Sequence, residues 1–322
     1  MRLMNAPLIS TEDLVFDYPT KRALFDINIS IPLGGITALV GPNGAGKTTL
    51  INCLVGLHAP VDGRVIFDSQ DITASPRAAH KRMGYLPDFY GLYDDLTVRQ
   101  CLEHGAEMRG IKRRDAEARA ATAAARLNVA DRLDDKVGSL SRGLTQRAAI
   151  ARTIIHDPDF LILDEPAAGL DPDARQQLSA LFRGLHDDGM TLLVSSHILA
   201  ELEDYCSDMI IIQGGRVLRH DGASPGTQLR RRIVIELAEP NGNLEAIVTG
   251  AAGVAHAEFD GLRATAYLDG GKIVQLTLLK HLVDAGLPVI GFTEIKERLQ
   301  DTYQRAVGGQ ADTQADNKES GS

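Results

Sequence analysis

Short, mainly apolar runs alternate with longer segments of mixed polarity along most of this 322-residue chain. Such runs occupy Ile36–Val40, Phe160–Leu163 and Met190–Val194. A continuous apolar run is typical of a strand that is buried on both faces of a parallel sheet. Residues 77–140 are instead rich in alanine and charged residues, as in Arg113–Leu127, and this composition indicates helices. The pattern therefore predicts an α/β fold with a helical segment between its strands.

A turn-rich segment, 221–226, separates this region from a shorter one with a different pattern. Beyond it we predict, in chain order, a strand, a short helix, a hairpin, a helix, a strand and a closing helix, at 232–237, 243–248, 254–268, 273–285, 288–292 and 294–307. This β-α-β-β-α-β order is that of a small α+β, ferredoxin-like unit. We therefore predict domains at 1–226 and 227–307, followed by a polar, disordered tail at 308–322. No ligand-specific set of residues stands out in the second domain, so a packing or dimer-stabilising role is favoured over ligand sensing.

A glycine-rich loop joins the first apolar run to the start of a helix. The loop reads Gly41, Pro42, Asn43, Gly44, Ala45, Gly46, Lys47, Thr48, Thr49. Backbone N–H groups of such a loop can point at phosphate oxygens, and the helix N-terminus adds a favourable dipole. Lys47 would place a charge between the β- and γ-phosphates, and the Thr48 hydroxyl would bind Mg²⁺. Because the flanking strand and helix are also present, the pattern predicts a nucleoside triphosphate site rather than a chance glycine-rich turn.

The apolar run at 160–163 ends in two acidic residues, Asp164 and Glu165. They follow a predicted parallel strand, at the edge of the sheet where α/β proteins bind ligands. Asp164 would hold Mg²⁺, directly or through water, and Glu165 could polarise an attacking water as a general base. A lone acidic pair is common in solvated turns, but a phosphate-binding loop needs such a partner. The functional interpretation is therefore favoured.

Three further motifs complete a characteristic order: Leu140–Arg147 lies between the glycine-rich loop and the acidic pair, and Ala168–Pro172 and Ser195–His197 come after the pair. Together with the glycine-rich loop and the acidic pair, they make residues 10–222 resemble the ATP-binding-cassette (ABC) ATPases. The loop matches the Walker A motif, and the acidic pair matches the Walker B acid and the catalytic glutamate. The resemblance implies a RecA-like core with a helical subdomain at about 88–150, and ATP with Mg²⁺ as ligands.

The resemblance also implies roles for individual side chains outside the loop. Tyr18 matches the aromatic residue that stacks on adenine, although it could instead be an ordinary strand-edge tyrosine. Ser141 and Gly143 match the signature residues that bind the γ-phosphate held by the opposite subunit, so one chain would hold two half-sites. Asp171 matches the acid that couples the two sites. His197 matches the switch histidine that contacts the γ-phosphate, whereas a lone histidine after an apolar strand is usually structural.

Individual positions depart from the family pattern. Asp88 stands where the family has a Gln that binds Mg²⁺ and touches the transport subunit. Because Asp is a hard oxygen ligand, we predict that Asp88 still binds the metal ion, with a shorter reach. Arg142 replaces the second-position Gly of the signature, and Leu144 replaces its Gln. Since Ser141 and Gly143 are retained, we expect activity with altered dimer contacts.

Composition narrows the functional classes. A net charge of −9 gives no support to sequence-independent nucleic-acid binding, and an aromatic content of 5% argues against a base-stacking surface. The three cysteines have no metal or redox spacing and are typical of a cytosolic chain. No signal peptide is visible, and the longest uncharged stretch, Ile27–Gly46, contains too many glycines and prolines to cross a bilayer. We therefore expect any membrane-spanning part to be another polypeptide, with this chain docked on the cytoplasmic face of the cell membrane.

The segment Gly84–Val98 is similar to the corresponding part of ATPase subunits from ABC exporters. The expected function is an ATP-hydrolysing subunit that dimerises around two ATP molecules and drives an exporter through a separate integral-membrane permease. A non-transport ABC ATPase acting on ribosomes or DNA is the alternative, but 47–141 leaves no space for the long insert that such proteins often carry. A regulatory module that only reports ATP is a third possibility, against which the intact Glu165 and His197 argue.

Overall fold

The computed structural model describes residues 7–295 except 90, 203–204, 207, 222–230 and 269–271. The chain divides near residue 223 into two compact units. The predicted domain boundary at 226 falls in one of the gaps. The predicted tail at 308–322 lies outside the described residues, so both stay predictions.

The first unit contains a mainly antiparallel sheet, a mainly parallel sheet and a group of helices. Its strands are β1 (Ile9–Tyr18), β2 (Lys21–Ile31), β3 (Ile36–Val40), β4 (Asp62–Phe67), β5 (Gln70–Asp71), β6 (Met83–Leu86), β7 (Phe160–Leu163), β8 (Thr191–Ser196), β9 (Asp208–Gln213) and β10 (Arg216–Asp221). Its α-helices are α1 (Lys47–Leu54), α2 (Val98–Met108), α3 (Arg113–Arg126), α4 (Arg142–Thr153) and α5 (Pro172–Asp187). The strands pair in the orders β2-β1-β4-β5 and β10-β9-β3-β8-β7-β6.

The second of these sheets is parallel apart from the antiparallel pairing of β9 with β10. Every residue of β3, β7 and β8 is buried, as expected for strands that are covered on both faces. Their polar members, Thr37, Thr191, Ser195 and Ser196, are buried as well. The predicted strands at Ile36–Val40 and Phe160–Leu163 are confirmed, and the third runs on to Ser196. In the sheet register Val40 pairs with Ser196, and Leu163 pairs with Val194. The carboxyl ends of the three strands therefore meet at one edge.

The helical segment between the strands depends on small side chains. Four alanines of α3 are buried, and they allow close packing against neighbouring helices: Ala116, Ala120, Ala123 and Ala124. At the start of α2 the Thr97 side chain accepts a hydrogen bond from the Gln100 backbone, and the Gln100 side chain accepts one from the Thr97 backbone. This reciprocal pair is a capping box, which satisfies amide groups that a helix start leaves free.

The prediction of helix throughout 77–140 is wrong at β6. Met83–Leu86 form a strand that pairs in parallel with β7. A Cβ placed on Gly84 would lie 3.0 Å from the Thr153 carbonyl oxygen and 3.1 Å from a Leu161 methyl group. The strand is therefore specified by close tertiary packing that the local composition does not reveal.

The second unit consists of β11 (Arg231–Leu237), α6 (Leu244–Thr249), β12 (Val254–Asp260), β13 (Arg263–Leu268), α7 (Lys272–Asp284) and β14 (Val289–Ile295). Its strands are antiparallel in the order β12-β13-β11-β14, which is the ferredoxin-like arrangement that the sequence predicts. Its core includes Ile233, Ile235, Leu278 and Leu282.

The predicted closing helix at 294–307 is wrong at its start. Glu294 and Ile295 belong to β14, where they pair with Ile233 and Arg232 of β11. Pairing along the strand satisfies their backbone groups, and this tertiary contact overrides the helical spacing of the sequence. The rest of that segment lies outside the described residues.

Among the helices in the described part of the chain, none combines the length and apolar character needed to span a bilayer.

Candidate functional site

A cleft of about 560 Å³ lies in the first unit. It is lined by residues from the glycine-rich loop and from distant parts of the chain, including Tyr18, Asp88, Glu165 and His197. From the loop, Asn43, Gly44, Gly46, Lys47, Thr48 and Thr49 line the cleft. The predicted residues Gly41, Pro42, Ala45 and Asp164 are not among its lining residues. The structure thus brings together most residues that the sequence singles out for one nucleotide.

The glycine-rich loop makes a tight turn directly before α1. Gly46 has a φ of 109°, a conformation that side-chain-bearing residues rarely adopt. A Cβ on Gly41 would overlap the backbone oxygen of Ile212, so the strand end and β9 approach too closely for any other residue. No side chain caps the first turn of α1. Its free N–H groups and helix dipole favour an anion at this position.

Lys47 is the first residue of α1 and is only 6% exposed. Its Nζ donates hydrogen bonds to the carbonyl oxygens of Gly41, at 2.8 Å, and Pro42, at 3.3 Å. The same Nζ lies 3.2 Å from Oε1 of Glu165. A buried ammonium group is costly unless it is paired, and these contacts hold it between the loop and the acid. The loop therefore carries a positioned positive charge as well as its amide groups.

Asp164 is nearly inaccessible, at 1% exposure, and each of its carboxylate oxygens accepts a hydroxyl hydrogen bond. Thr48 Oγ1 donates to Oδ2 at 2.7 Å, and Ser195 Oγ donates to Oδ1 at 2.5 Å. Burial raises the pKa of the neighbouring Tyr85 to about 12, and the negative charges of Asp164 and Asp88 add to this shift. Asp88 and Thr48 both line the cleft, and Thr48 contacts Asp164 directly. Hydroxyl and carboxylate oxygens are the ligand types that Mg²⁺ prefers.

Glu165 adopts a φ of 48°, in the left-handed region that costs a residue with a side chain about 1 kcal/mol. Its backbone N–H donates to Ser195 Oγ at 2.8 Å, so one serine orients both acids. Its Oε1 faces Lys47, and its Oε2 lies 2.8 Å from Nδ1 of His197. The strained backbone and these contacts fix the Glu165 carboxylate at the edge of the cleft. Strain of this kind is common at functional sites.

His197 follows β8, and its side chain is 40% exposed. Because its Nδ1 faces a carboxylate oxygen, this nitrogen donates the hydrogen bond, and Nε2 is the ring nitrogen left for a ligand. The alternative interpretation of His197 was a purely structural role. A structural histidine would not need to line the cleft, whereas His197 does.

Arg175 and Glu201 form a supporting network that the sequence analysis did not identify. Arg175 Nε donates to the Leu170 carbonyl oxygen at 2.9 Å, and its Nη1 lies 3.0 Å from Glu201 Oε1. Ser196 Oγ donates to Glu201 Oε2 at 3.3 Å, directly beside His197. Burial raises the pKa of Glu201, although Arg175 and Ser196 oppose this effect. The pair is separated by many residues along the chain, so no local spacing could have revealed it.

Tyr18 is the last residue of β1 and lines the outer part of the cleft. Its OH lies 3.2 Å from Thr49 Oγ1, and its ring packs edge-on against Phe16 with centroids 5.1 Å apart. The side chain is 38% exposed, which leaves ring surface available to a planar ligand.

Ser141, Gly143 and Asp171 do not line the cleft. Ser141 caps α4, where its Oγ accepts a long hydrogen bond of 3.4 Å from the Leu144 N–H. Asp171 caps α5, and its Oδ1 accepts from the Ala174 N–H at 2.8 Å. A Cβ on Gly143 would lie 3.4 Å from that of Ala174, so the first turns of the two helices are close neighbours. These residues form a second group, separate from the cleft.

Comparison with protein families matches residues 24–168 to the family described as ABC transporter. The chain is 33% identical over 198 residues to the ABC transporter ATP-binding protein NatA of Bacillus subtilis, covering 61% of this chain and 80% of that protein. It is 31% identical over 293 residues to the Nod factor export ATP-binding protein I of Burkholderia orbicola, covering 90% and 94% of the two chains. It is 30% identical over 313 residues to the bacitracin transport ATP-binding protein BcrA of Bacillus licheniformis, covering 94% and 98%.

Solved structures give a similar result. The chain resembles cbiO1 from Clostridium perfringens, part of the ABC transporter complex cbiONQ, with a TM-score of 0.63, 28% identity, and coverage of 67% of this chain and 88% of that one. It also resembles MJ1267, an ATP-binding cassette of an ABC transporter, with a TM-score of 0.61, 25% identity, and coverage of 67% and 91%.

Proposed function

Because the chain belongs to the ABC transporter family as an ATP-hydrolysing, ATP-binding subunit, we propose that two copies enclose two ATP molecules and power an exporter through a separate integral-membrane permease. One observation carries the proposal. The cleft gathers the ammonium group of Lys47, the hydroxyl of Thr48 and the carboxylate of Glu165 at the carboxyl edge of the sheet, in a chain that is similar over most of its length to export subunits.

The loop residues Gly41–Thr49 would hold the β- and γ-phosphates through their N–H groups and Lys47, and Tyr18 would stack on the adenine. Thr48, Asp164 and Asp88 are the candidate ligands of Mg²⁺, which would neutralise charge on the phosphate oxygens. The oxygen donors on Thr48 and Asp164 suit this ion. Within the described residues no cluster of three or more His, Cys, Asp or Glu could hold a metal ion. The nucleotide and water would therefore supply most of the coordination sphere, as is usual for Mg²⁺.

Glu165 would accept a proton from, or polarise, the water that attacks the γ-phosphate. His197 lies 2.8 Å from the Glu165 carboxylate and would orient it while its Nε2 faces the γ-phosphate. Lys47 reaches both the loop and Glu165, so the same ammonium group can stabilise charge on the phosphate during the reaction.

Ser141, Gly143 and Asp171 lie outside the cleft, so in a dimer they would complete the ATP site of the second copy. The Ser141 hydroxyl and the Gly143 N–H sit at the start of α4, where the helix dipole favours the γ-phosphate. Asp171 would couple the two sites. The unit beyond the predicted boundary at 226 would stabilise this dimer or pack beside it.

The direction of transport is supported by the relatives that match most of the chain. They include the Nod factor export proteins and the probable multidrug ABC transporter ATP-binding protein YbhF of Escherichia coli, which is 31% identical over 320 residues and of which the chain covers 53%. Since the chain would dock on its permease, we propose a peripheral location at the cytoplasmic face of the cell membrane.

The proposal is tested by purifying the tagged chain from membranes and measuring ATP hydrolysis. We expect a polytopic membrane protein to co-purify, and we expect Glu165→Gln to lose hydrolysis while it still binds ATP. Glu245→Gln, a matched change at an exposed glutamate of α6, should hydrolyse ATP like the wild type. A chain that is found only with ribosomes or DNA, and is active there, would instead support the non-transport class.

A further inference from the structure

Arg142 is the first residue of α4. Its side chain extends to the loop between β7 and α5, which we name the connecting loop (residues 166–170). Its Nη2 donates a hydrogen bond of 2.8 Å to the carbonyl oxygen of Ala168. A Cβ placed on Gly169 would overlap three atoms of the guanidinium group, so this group lies directly against the Gly169 backbone. Gly169 has a φ of 69°, which favours glycine at this position in any case.

A second arginine holds the other side of the same loop. Arg175 Nε donates to the Leu170 carbonyl oxygen at 2.9 Å and is itself paired with Glu201 at 3.0 Å. The carbonyl groups on both sides of Gly169 are thus each bound by a guanidinium group, one from the start of α4 and one from α5. Two charge-assisted hydrogen bonds, which are stronger than neutral ones, therefore hold the loop from different helices.

The connecting loop joins two groups that the proposed function keeps apart. It begins directly after Glu165 in the cleft and ends at Asp171, which caps α5. Arg142 lies between Ser141 and Gly143, the residues expected to contact the second copy's ATP. Its hydrogen bond to Ala168 therefore links the half-site offered to the partner with the loop that directly follows the chain's own glutamate.

We propose that Arg142 is a positioning residue for ATP hydrolysis: it fastens the connecting loop to the start of α4 within one chain, and so sets the geometry of Glu165 and the Ser141–Gly143 half-site together. This inference rests on the proposed function, because it assigns the residue to the same hydrolytic dimer. The side chain acts through the loop and does not contact the nucleotide. Its loss should therefore lower the rate of hydrolysis and leave ATP binding by the single chain unchanged.

The first test separates kcat from the affinity for ATP in the full-length chain. Arg142→Ala should lower kcat about five- to tenfold, the range that corresponds to loss of one exposed, charge-assisted hydrogen bond, while the Kd for a fluorescent ATP analogue changes less than about twofold. Arg142→Lys should recover most of the activity, because an ammonium group can still donate to Ala168. Arg126→Ala is the control, since this arginine of α3 pairs with Asp157 and Asp188 and not with the connecting loop. A raised Kd in Arg142→Ala, or an equal loss of kcat in Arg126→Ala, would overturn the inference.

The second test is a double-mutant cycle with Gly169→Ala, whose added Cβ would displace the guanidinium group from the Gly169 backbone without changing Arg142. If Arg142 acts through this contact, the double variant should be no slower than the slower single variant. Additive losses would show that Arg142 works elsewhere, for example on the nucleotide of the second copy, and the proposal would be wrong.

The third test does not depend on activity. Amide hydrogen exchange, followed in a peptide that covers residues 166–171, should be several-fold faster in Arg142→Ala than in the wild type and unchanged in Arg126→Ala. If the wild type fails to hydrolyse ATP, the proposed function fails while the exchange experiment still decides whether Arg142 holds the loop. Unchanged exchange in Arg142→Ala, with normal hydrolysis in the wild type, would overturn the inference alone.

Discussion

At the scale of single residues, the acids of the cleft are held by hydroxyl groups from other segments. Thr48 and Ser195 each donate to one oxygen of Asp164, and Ser195 also receives the Glu165 N–H. These three hydrogen bonds hold Asp164 and Glu165, which are adjacent in sequence, in fixed orientations. One acid is buried beneath Thr48 and the other faces Lys47 and the cleft, so neighbouring residues of the same type can serve different chemical roles.

Lys47→Ala should weaken ATP binding by about ten- to a hundredfold, because it removes a charged hydrogen-bond donor from the phosphate site. Titration with a fluorescent ATP analogue measures this change. Lys21 also lines the cleft but belongs to β2, outside the loop, so Lys21→Ala is the control and should change the affinity less than about threefold. Equal effects of the two variants would contradict the role given to the loop lysine.

His156 should make the stability of the protein depend on pH. Burial lowers its pKa to about 4, and the charge of Arg109 adds to the shift. Its Nε2 donates to the Met83 carbonyl, and its Nδ1 has no hydrogen-bond partner. Since the unfolded chain takes up a proton near pH 6.5 and the folded chain does not, stability is fully present above about pH 6.5 and is lost as the pH falls towards 4.

Between pH 7.5 and 5 this single group should cost about 2 kcal/mol of the free energy of unfolding. Urea denaturation at the two pH values measures the change, and His156→Gln should reduce it by that amount. His256→Gln, at a histidine with a 60% exposed side chain, serves as the control. An unaltered pH dependence in His156→Gln would show that the buried ring does not carry the effect.

At the scale of elements, helix starts in the first unit are specified by their own sequences. Thr97, Ser141 and Asp171 cap α2, α4 and α5 by accepting hydrogen bonds from backbone N–H groups of the first turn. The starts of α1 and α3 have no side-chain cap, and Gly46 and Lys47 at the start of α1 line the cleft. The N–H groups in the first turn of α1 are therefore available to a ligand there.

Thr97→Ala should lower the free energy of unfolding by about 1 kcal/mol, because it removes the side-chain half of the capping box. The urea midpoint of the full chain measures this effect. Thr122→Ala is the control, since Thr122 lies inside α3, exposed, and bonds only to the preceding turn. A loss of equal size in the control would mean that the effect is not one of capping.

Some strands could be predicted from the sequence pattern alone, and others could not. The buried strands β3 and β7 were predictable because parallel strands that are covered on both faces are mainly apolar along their length. Strand β6 was not, because its Met-Gly-Tyr-Leu sequence lies next to helical segments and becomes a strand only by pairing with β7. The end of β14 was missed for the same reason, since helical spacing in the sequence competes with pairing to β11.

At the scale of the whole molecule, the predicted half-sites imply an assembly that one chain does not complete. In the presence of ATP, Glu165→Gln should form a dimer, because ATP is bound but not hydrolysed. Ser141→Ala in that background should weaken the dimer about tenfold, since it removes a hydrogen bond to the γ-phosphate of the second copy. Sedimentation velocity measures the association. Ser139→Ala, which removes a hydroxyl bonded only to the Lys136 carbonyl, is the control.

A Glu165→Gln chain that stays monomeric with saturating ATP would contradict the two-copy site. A dimer that forms equally well with Ser141→Ala would instead contradict the role of the α4 start, and would leave the cleft and its ligands unaffected.

The sequence by itself determined the features that depend on neighbouring residues. The glycine-rich loop and the acidic pair are each contained in a few consecutive positions. The β-α-β-β-α-β order of the second unit could also be read along the chain, because alternation and turns mark each element.

Only the tertiary structure decided which distant residues meet. The register of β7 with β8 pairs Leu163 with Val194 and so brings the next residues, Asp164 and Ser195, together. Nothing near either residue in the sequence records that pairing. The contacts of Arg175 with Glu201 and of Arg142 with Ala168 arise in the same way. They depend on how helices and loops pack against one sheet, which is a property of the folded chain as a whole and not of any local pattern.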